Sequence, residues 1–383
     1  MMIKDEPRTQ AYKDAIFKNE HLFKDKIVMD VGAGTGILSL FAAKAGAKKV
    51  LAVEGSKIAE YIPLIAKENG YADIIQVFHC KVEDVSLDME EKVDIIISEW
   101  MGFYLLHEAM LSSVLYARDQ FLSDEGILFP SNAKLYVSPC SMENYFNEHF
   151  YFWDNVYGFN MRSLKNYAHK GKQTKPEVCE VNPTDLLAEP VCIKEFNLRY
   201  INESDIQSFS CTNFVGITKS GIYQGLALWF VCEFEGRTYD EKGEENGSLV
   251  TLSTAPSSTL THWKQTVIIL GNIKDKNNYN SNESPSKLLK LESASGNCNN
   301  ETDESDCNSE YFVEEDEVVG WKLDFSRSEE EKRHYTIVME SLDPEEAEHP
   351  IPCVCPMPRC VIIAKMIESE EEKLVEEEEE DYE

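Results

Sequence analysis

Two acids, Glu99 and Glu108, stand in the apolar stretch Ser98-Glu99-Trp100-Met101-Gly102-Phe103-Tyr104-Leu105-Leu106-His107-Glu108. Gly102 lets the segment turn back and bring the two carboxylates together. Two carboxylates in an apolar loop repel each other, and one takes a raised pKa unless a cation sits between them. A guanidinium is the fitting guest, because its planar donors match carboxylates in bidentate fashion. The competing reading, a surface loop with two solvated acids, is disfavoured by Trp100, Met101 and Phe103.

A second motif belongs beside the first. Val28-Met29-Asp30-Val31-Gly32-Ala33-Gly34-Thr35-Gly36-Ile37 reads as a buried strand, a glycine turn and a helix start. Glycines there let backbone N–H groups approach a ligand. Glu54, eighteen residues past Gly36, ends the next strand, where an acid can grip ribose hydroxyls. The dinucleotide fingerprint needs a third glycine at position 37, which is Ile. Asp30, just before the loop, is a poor neighbour for pyrophosphate and suits a cationic amino group. S-adenosylmethionine has that ammonium, a ribose and no phosphate. A NAD domain and a purely structural turn are the alternatives. The charges agree with the first reading: a sulfonium and a guanidinium in one dry site are neutralised by two carboxylates.

Elements must hold these residues. Lys26–Val31, Lys49–Glu54, Ile74–Phe78 and Val93–Ser98 are continuous apolar runs, which suits a parallel sheet covered on both faces. Helical stretches over Ile37–Ala45, Ser56–Asn69 and Leu105–Ala117 alternate with them, so residues 1–130 read as a doubly wound, Rossmann-like domain. Ligand sites of such sheets lie beyond the carboxyl ends of the strands, where both motifs fall. After Phe129-Pro130 the runs become short, aromatic and β-branched: Lys134–Val137, which Pro139 soon ends, then Gly221–Phe234, Gln265–Leu270 and Tyr335–Glu340. They predict an antiparallel barrel or sandwich over residues 131–367. Glu143–Met161 carries eight Tyr, Phe or Trp side chains, which pack in a core helix or against another subunit.

The formal charge is −32, and much of it lies in two runs. Ten acids and no Lys or Arg lie between Glu292 and Glu317; eleven acids and one Lys lie between Glu368 and Glu383. The balance argues against duplex DNA and favours cationic partners. Asp275–Asn308 predicts a disordered insertion, and residues 368–383 a disordered acidic tail. The charge in these runs attracts basic tails or merely keeps the chain soluble. No stretch reaches 18 apolar residues, and the first ten residues form no signal peptide. Eleven scattered cysteines read as reduced thiols of a cytosolic or nuclear protein. Cys353, Cys355 and Cys360 lack a fourth ligand nearby, so no metal is assigned.

Together, VGAGTG, Glu54, SEWMG(x5)E and Thr261-His262-Trp263 resemble the protein arginine N-methyltransferase family, type I, over roughly residues 2–272. Within it, LLHEAMLSSVLYAR is most similar to the nuclear histone-modifying member six. The resemblance implies an adenosylmethionine-binding Rossmann-like domain, a β-barrel substrate domain, and a helical arm (about 142–183) forming a head-to-tail homodimer. It implies that Arg8 pairs with the cofactor carboxylate, that Gly32 and Gly34 line the methionine end, that Glu54 holds the ribose and that Glu83 faces the adenine. Glu99 and Glu108 would hold the substrate guanidinium. His262, partnered by Asp5, would take the departing proton; a histidine packed structurally at the domain junction is the other reading. S-adenosylhomocysteine would leave, and histone tails or Gly-Arg-rich proteins would be substrates. Localisation would be nuclear, with the cytoplasm also open, and nucleic acid and membrane would not be bound directly. Members begin with a Tyr-Phe-rich lid helix upstream of the segment matching Met2-Ile3-Lys4-Asp5, so the chain reads as N-terminally truncated. A catalytically impaired relative acting through dimerisation is the alternative. An insertion about 273–317 has no counterpart in the family.

Overall fold

The computed structural model describes residues 2–87, 92–172, 175–239, 245–270, 288–291 and 311–380. Five strands, β1 (Ile27–Val31), β2 (Lys49–Val53), β3 (Ile75–Phe78), β4 (Val93–Ile97) and β5 (Leu122–Phe129), form one parallel sheet in the order β3-β2-β1-β4-β5. The order reverses at β1, so the crevice beyond β1 and β4 is where a ligand fits. The first four strands fall within a residue of the apolar runs. Burial on both faces explains it: in β1 and β2 every residue after the first is buried.

Helices follow the pattern less evenly. Ile37–Lys44 is helical as expected, whereas 56–69 splits into a 3-10 turn (Lys57–Tyr61) and a helix (Ile62–Glu68) that has Pro63 in its first turn. Leu105–Ala117 is corrected: the helix runs over Leu111–Phe121, and residues 102–108 form a tight loop. Tyr104, Leu105 and Glu108 have φ of 38°, 72° and 63°, a left-handed backbone no helix accommodates. Gly102 permits this turn, because a Cβ there would lie 1.7 Å from the His107 carbonyl oxygen. A helix that the periodic runs did not reveal, α1 (Glu6–Lys18), precedes the sheet. Its signals were Asp5, which caps it, and Pro7 in its first turn.

The second domain is antiparallel and barrel-like. Its first strand, β6 (Asn132–Cys140), runs through Pro139 and pairs with Gly225–Phe234, which pairs in turn with Gln265–Ile269. A second sheet joins Ser208–Gly216, Val318–Arg327 and Tyr335–Leu342. The aromatic stretch divides: Phe146 and Phe150 are buried, while Tyr157 and Phe159 stand 96% and 70% exposed. Two segments expected to be disordered contain described secondary structure. Within the insertion, Leu288–Leu291 pair with Tyr335–Leu342 and Phe312–Val313 pair with Gly221–Ile222; residues 271–287 and 292–310 lie outside the described residues. Most of the acidic tail belongs to a helix, Pro358–Glu380, consistent with the helix propensity of Glu. Among the described residues no helix is long and apolar enough to cross a membrane.

Candidate active site

The glycine loop leaves β1 at Val31. Gly34 has φ +57°, and a Cβ there would meet no atom within 4 Å, so this face of the loop is open. Its N–H donates to Glu54 Oε2 at 2.8 Å, while the Ser56 N–H donates to Oε1 at 2.7 Å. Both oxygens of Glu54 are therefore held at the end of β2 beside the loop. Asp30 is placed differently from the expectation. It is fully buried beneath the loop, does not line the cavity, and accepts from Ser39 Oγ at 2.6 Å; its Oδ1 has no partner. Burial pushes its carboxyl up to about 6, against the Ser39 hydrogen bond.

Glu99 follows β4. Neighbouring Ser98 is tied down twice, its Oγ donating to Val31 O and its carbonyl accepting from Tyr12 Oη, both at 2.8 Å. Glu99 is 7% exposed, and Oε2 accepts from Arg8 Nε at 3.0 Å and Nη2 at 2.9 Å. Burial raises its pKa, and the Arg8 guanidinium opposes that rise. Oε1 is buried with no hydrogen-bond partner. The cation beside Glu99 is thus Arg8, a residue the resemblance assigned to the cofactor carboxylate.

Glu108 lines the same cavity, of about 820 Å³, as Glu99, Gly32, Gly34 and Glu54. Its side chain is 57% exposed, with Oε1 3.8 Å from His334 Nε2. Its position is set by the barrel, since its N–H donates to Arg333 O at 2.6 Å and Arg333 Nη2 donates back to its carbonyl. The two acids therefore share one cavity from unlike environments, one buried and ion-paired, the other solvated.

The Thr261-His262-Trp263 segment joins the domains. Trp263 Nε1 donates to Met101 O at 3.2 Å, and the His262 N–H and Nδ1 lie 2.8 and 2.5 Å from Asp5 Oδ2. Asp5 Oδ1 meanwhile accepts from the Arg8 N–H at 3.2 Å, capping α1. Burial pushes the Asp5 carboxyl up, but the His262 and Arg8 hydrogen bonds together outweigh it and leave the pKa below the usual value. His262 lines the cavity, so its structural and proton-accepting roles are geometrically compatible.

Glu83 stands apart from these residues. It does not line the cavity; its Oε1 accepts from Ser113 Oγ at 2.7 Å. Three titratable lining residues were not marked by the sequence: His107, Arg333 and His334. His107 stacks on His334 with centroids 4.8 Å apart, and burial, then the neighbouring His334, lowers its pKa. No local pattern marks Arg333 or His334, which sit in a charged hairpin and arrive only by folding.

Comparison with known proteins matches the two domains separately. A family model described as ribosomal protein L11 methyltransferase matches residues 15–118, and one described as the arginine methyltransferase oligomerization subdomain matches residues 131–283. Protein arginine N-methyltransferase 1 of Caenorhabditis elegans is 43% identical over 272 residues, which cover 70% of this chain and 74% of that relative. The chain belongs to the protein arginine N-methyltransferase family. Protein arginine N-methyltransferase 2 of Homo sapiens is 40% identical over 271 residues, 70% of this chain, and the match spans only 61% of that family member. The Trypanosoma brucei PRMT1 enzyme-prozyme heterotetrameric complex with AdoHcy contains a chain of the same fold. It superimposes with TM-score 0.70 at 31% identity, covering 91% of this chain and 94% of that one. The two matched models meet between residues 118 and 131, at the change from parallel to antiparallel sheet.

Proposed function

We propose that this protein methylates arginine side chains of proteins, using S-adenosylmethionine and releasing S-adenosylhomocysteine. The observation that carries the reading is one cavity lined by the glycine loop, Glu54, Glu99 and Glu108. The residues present suit the cofactor: Gly34 opens on free space, and Glu54 is held beside the loop as a hydroxyl acceptor. The cofactor supplies a methyl group on a positively charged sulfur.

The chain's own residues do the rest. Glu99 offers Oε1, a buried acceptor without a partner, while Arg8 donates to Oε2 and opposes the effect of burial on the carboxyl. Glu108 offers a second carboxylate from the loop that Arg333 holds. Arginine stays protonated in bulk water. Carboxylates on one side of its guanidinium concentrate positive charge there and leave the far terminal nitrogen the better nucleophile. Positioning two reactants in one site supplies much of the rate. His262, held by Asp5 and lining the cavity, is the proposed acceptor of the departing proton.

We further propose type I chemistry, ending in asymmetric dimethylarginine, with histone tails or Gly-Arg-rich proteins as substrates and action in the nucleus. Similarity of LLHEAMLSSVLYAR to member six motivates the histone assignment. A homodimer is proposed from Tyr157, Phe159 and Tyr167, which expose large rings on the segment matched as an oligomerization subdomain. The test incubates the full chain with labelled adenosylmethionine and histone or Gly-Arg-rich peptides, then hydrolyses the product. Labelled asymmetric dimethylarginine supports the proposal. Unlabelled arginine together with tight adenosylhomocysteine binding rejects it, and failure of both points to a subunit acting by association alone.

A further inference from the structure

Outside the cavity, among the described residues, one cluster of soft donor atoms remains unused by methyl transfer. His349, Cys353 and Cys355, between the last barrel strand and the helix Pro358–Glu380, gather with Cys360 in that helix's first turn. Their ligand atoms all lie within 4.8 Å of one another. The three Sγ atoms stand 3.5, 3.4 and 3.2 Å from the same His349 Nδ1. The cysteines are 9%, 2% and 4% exposed, and none is in a disulfide. The fourth ligand missing from the sequence reading is therefore His349, four residues upstream of Cys353 and folded back onto the thiols.

The histidine is oriented for this task. Its Nε2 lies 2.9 Å from the Pro344 carbonyl, which accepts a hydrogen bond and fixes the proton on that nitrogen. The Nδ1 lone pair then faces the sulfurs. The ring also lies flat on Phe214, with centroids 3.6 Å apart and planes 5° from parallel. A second-nitrogen hydrogen bond to a backbone carbonyl is how proteins orient metal-binding imidazoles.

Other uses of the cluster fit less well. One lone pair can accept one S–H bond, so hydrogen bonding to His349 alone does not account for three thiols gathered on the same nitrogen. A disulfide would consume two sulfurs and leave the third and the imidazole unexplained. A tetrahedral zinc ion, with Zn–S near 2.3 Å and Zn–N near 2.05 Å, sets S···N separations of about 3.6 Å and S···S of about 3.8 Å. The observed S···N separations lie within a few tenths of an ångström of the first value, and no two ligand atoms are more than 4.8 Å apart.

We propose that His349, Cys353, Cys355 and Cys360 form a closed Cys3His zinc site fastening the C-terminal helix to the barrel. Four protein ligands leave no open position, so the ion is structural. Zinc replaces the thiol protons, which pass to solvent, and binding energy becomes folding energy for residues 343–367. The barrel side is ready to receive it, since Phe214 and Gly216 share a strand and a Cβ on Gly216 would lie 2.9 Å from the Pro356 ring.

The test uses the full chain, expressed with added zinc and dialysed against metal-free buffer with a non-chelating reductant. Mass spectrometry should find about one zinc per chain, and cobalt added to stripped protein should give thiolate charge-transfer bands with the strong d–d absorption of a tetrahedral site. Cys355→Ser/Cys360→Ser should lose both signals, and His349→Ala should shift the cobalt bands while keeping thiolate character. Should the double variant misfold, tryptic cleavage of the unmodified chain at Arg359 and Lys365, faster without zinc, reads the same site. Less than about a tenth of an equivalent of zinc with no cobalt bands overturns the proposal. So does full zinc retention by the double variant, or a native disulfide among the three cysteines.

Discussion

Arg8 and Glu99, 91 positions apart, meet through two hydrogen bonds to a single carboxylate oxygen, Nε at 3.0 Å and Nη2 at 2.9 Å. Both side chains are under a tenth exposed. One protein cation thereby favours the acid's charged form against the effect of burial, and the acid's other oxygen is left for an incoming donor. A charge-assisted hydrogen bond is worth roughly 1.5–3 kcal/mol.

Glu99→Gln should therefore lower kcat by about 10–100-fold, at 1.36 kcal/mol per tenfold. Adenosylhomocysteine affinity should change far less. Methyl incorporation and titration calorimetry read the two effects separately, and equal losses in both would contradict a guanidinium-binding role.

Asp5→Asn should weaken two junctions at once, the cap of α1 and the anchor of His262. Loss of a cap costs about 0.5–2 kcal/mol, visible as a lower urea midpoint. The folded pKa of Asp5 is depressed, so its stabilisation is complete above the unfolded value near 3.9 and is lost as pH falls through the folded value. The variant should flatten that acid limb; an unchanged limb would show that Asp5 does not carry it.

Gly102→Ala should disorganise the loop that carries Glu108. A Cβ would collide with the His107 carbonyl and approach the Ala109 nitrogen to 2.9 Å, both backbone atoms that cannot swing aside. Activity should fall more than tenfold, with a stability cost of about 1–3 kcal/mol. Crystal structures of the variant with an unmoved loop would refute this account.

His169 lies flat against Phe150, centroids 3.7 Å apart, and burial, with Lys165 adding, lowers its pKa to about 4. The unfolded ring binds its proton near pH 6.5, so between those values the unfolded state holds more protons. Stability contributed by the neutral ring is full above about pH 6.5 and is lost as pH falls towards 4. His169→Phe should remove that part of the slope, measured as urea midpoints across pH 4–7. Parallel slopes for the two proteins would defeat the prediction.

Much of the fold was legible because its signals are local. β1 to β4 announce themselves as apolar runs, since strands buried on both faces carry no polar alternation. The glycine turn and Glu54 were readable for the same reason: a strand end, a turn and the next strand end lie within 30 residues. The apolar run after β4 suits a helix by its own preference, but Tyr104, Leu105 and Glu108 are left-handed in a loop closed by Gly102–Leu105 backbone bonds and held at Glu108 by Arg333 of the barrel.

What the chain's residues determined alone was a parallel nucleoside-binding sheet, an antiparallel second domain and a pair of acids beyond β4. Tertiary structure decided which cation Glu99 meets, how deeply each acid is buried, and that Asp5 reaches His262 across 257 positions. It also supplied His349 to three cysteines that looked one ligand short. Local spacing governs backbone hydrogen bonding and burial of a face, whereas charge partners and ligand sets depend on the distances between side chains that distant segments acquire only when both domains pack.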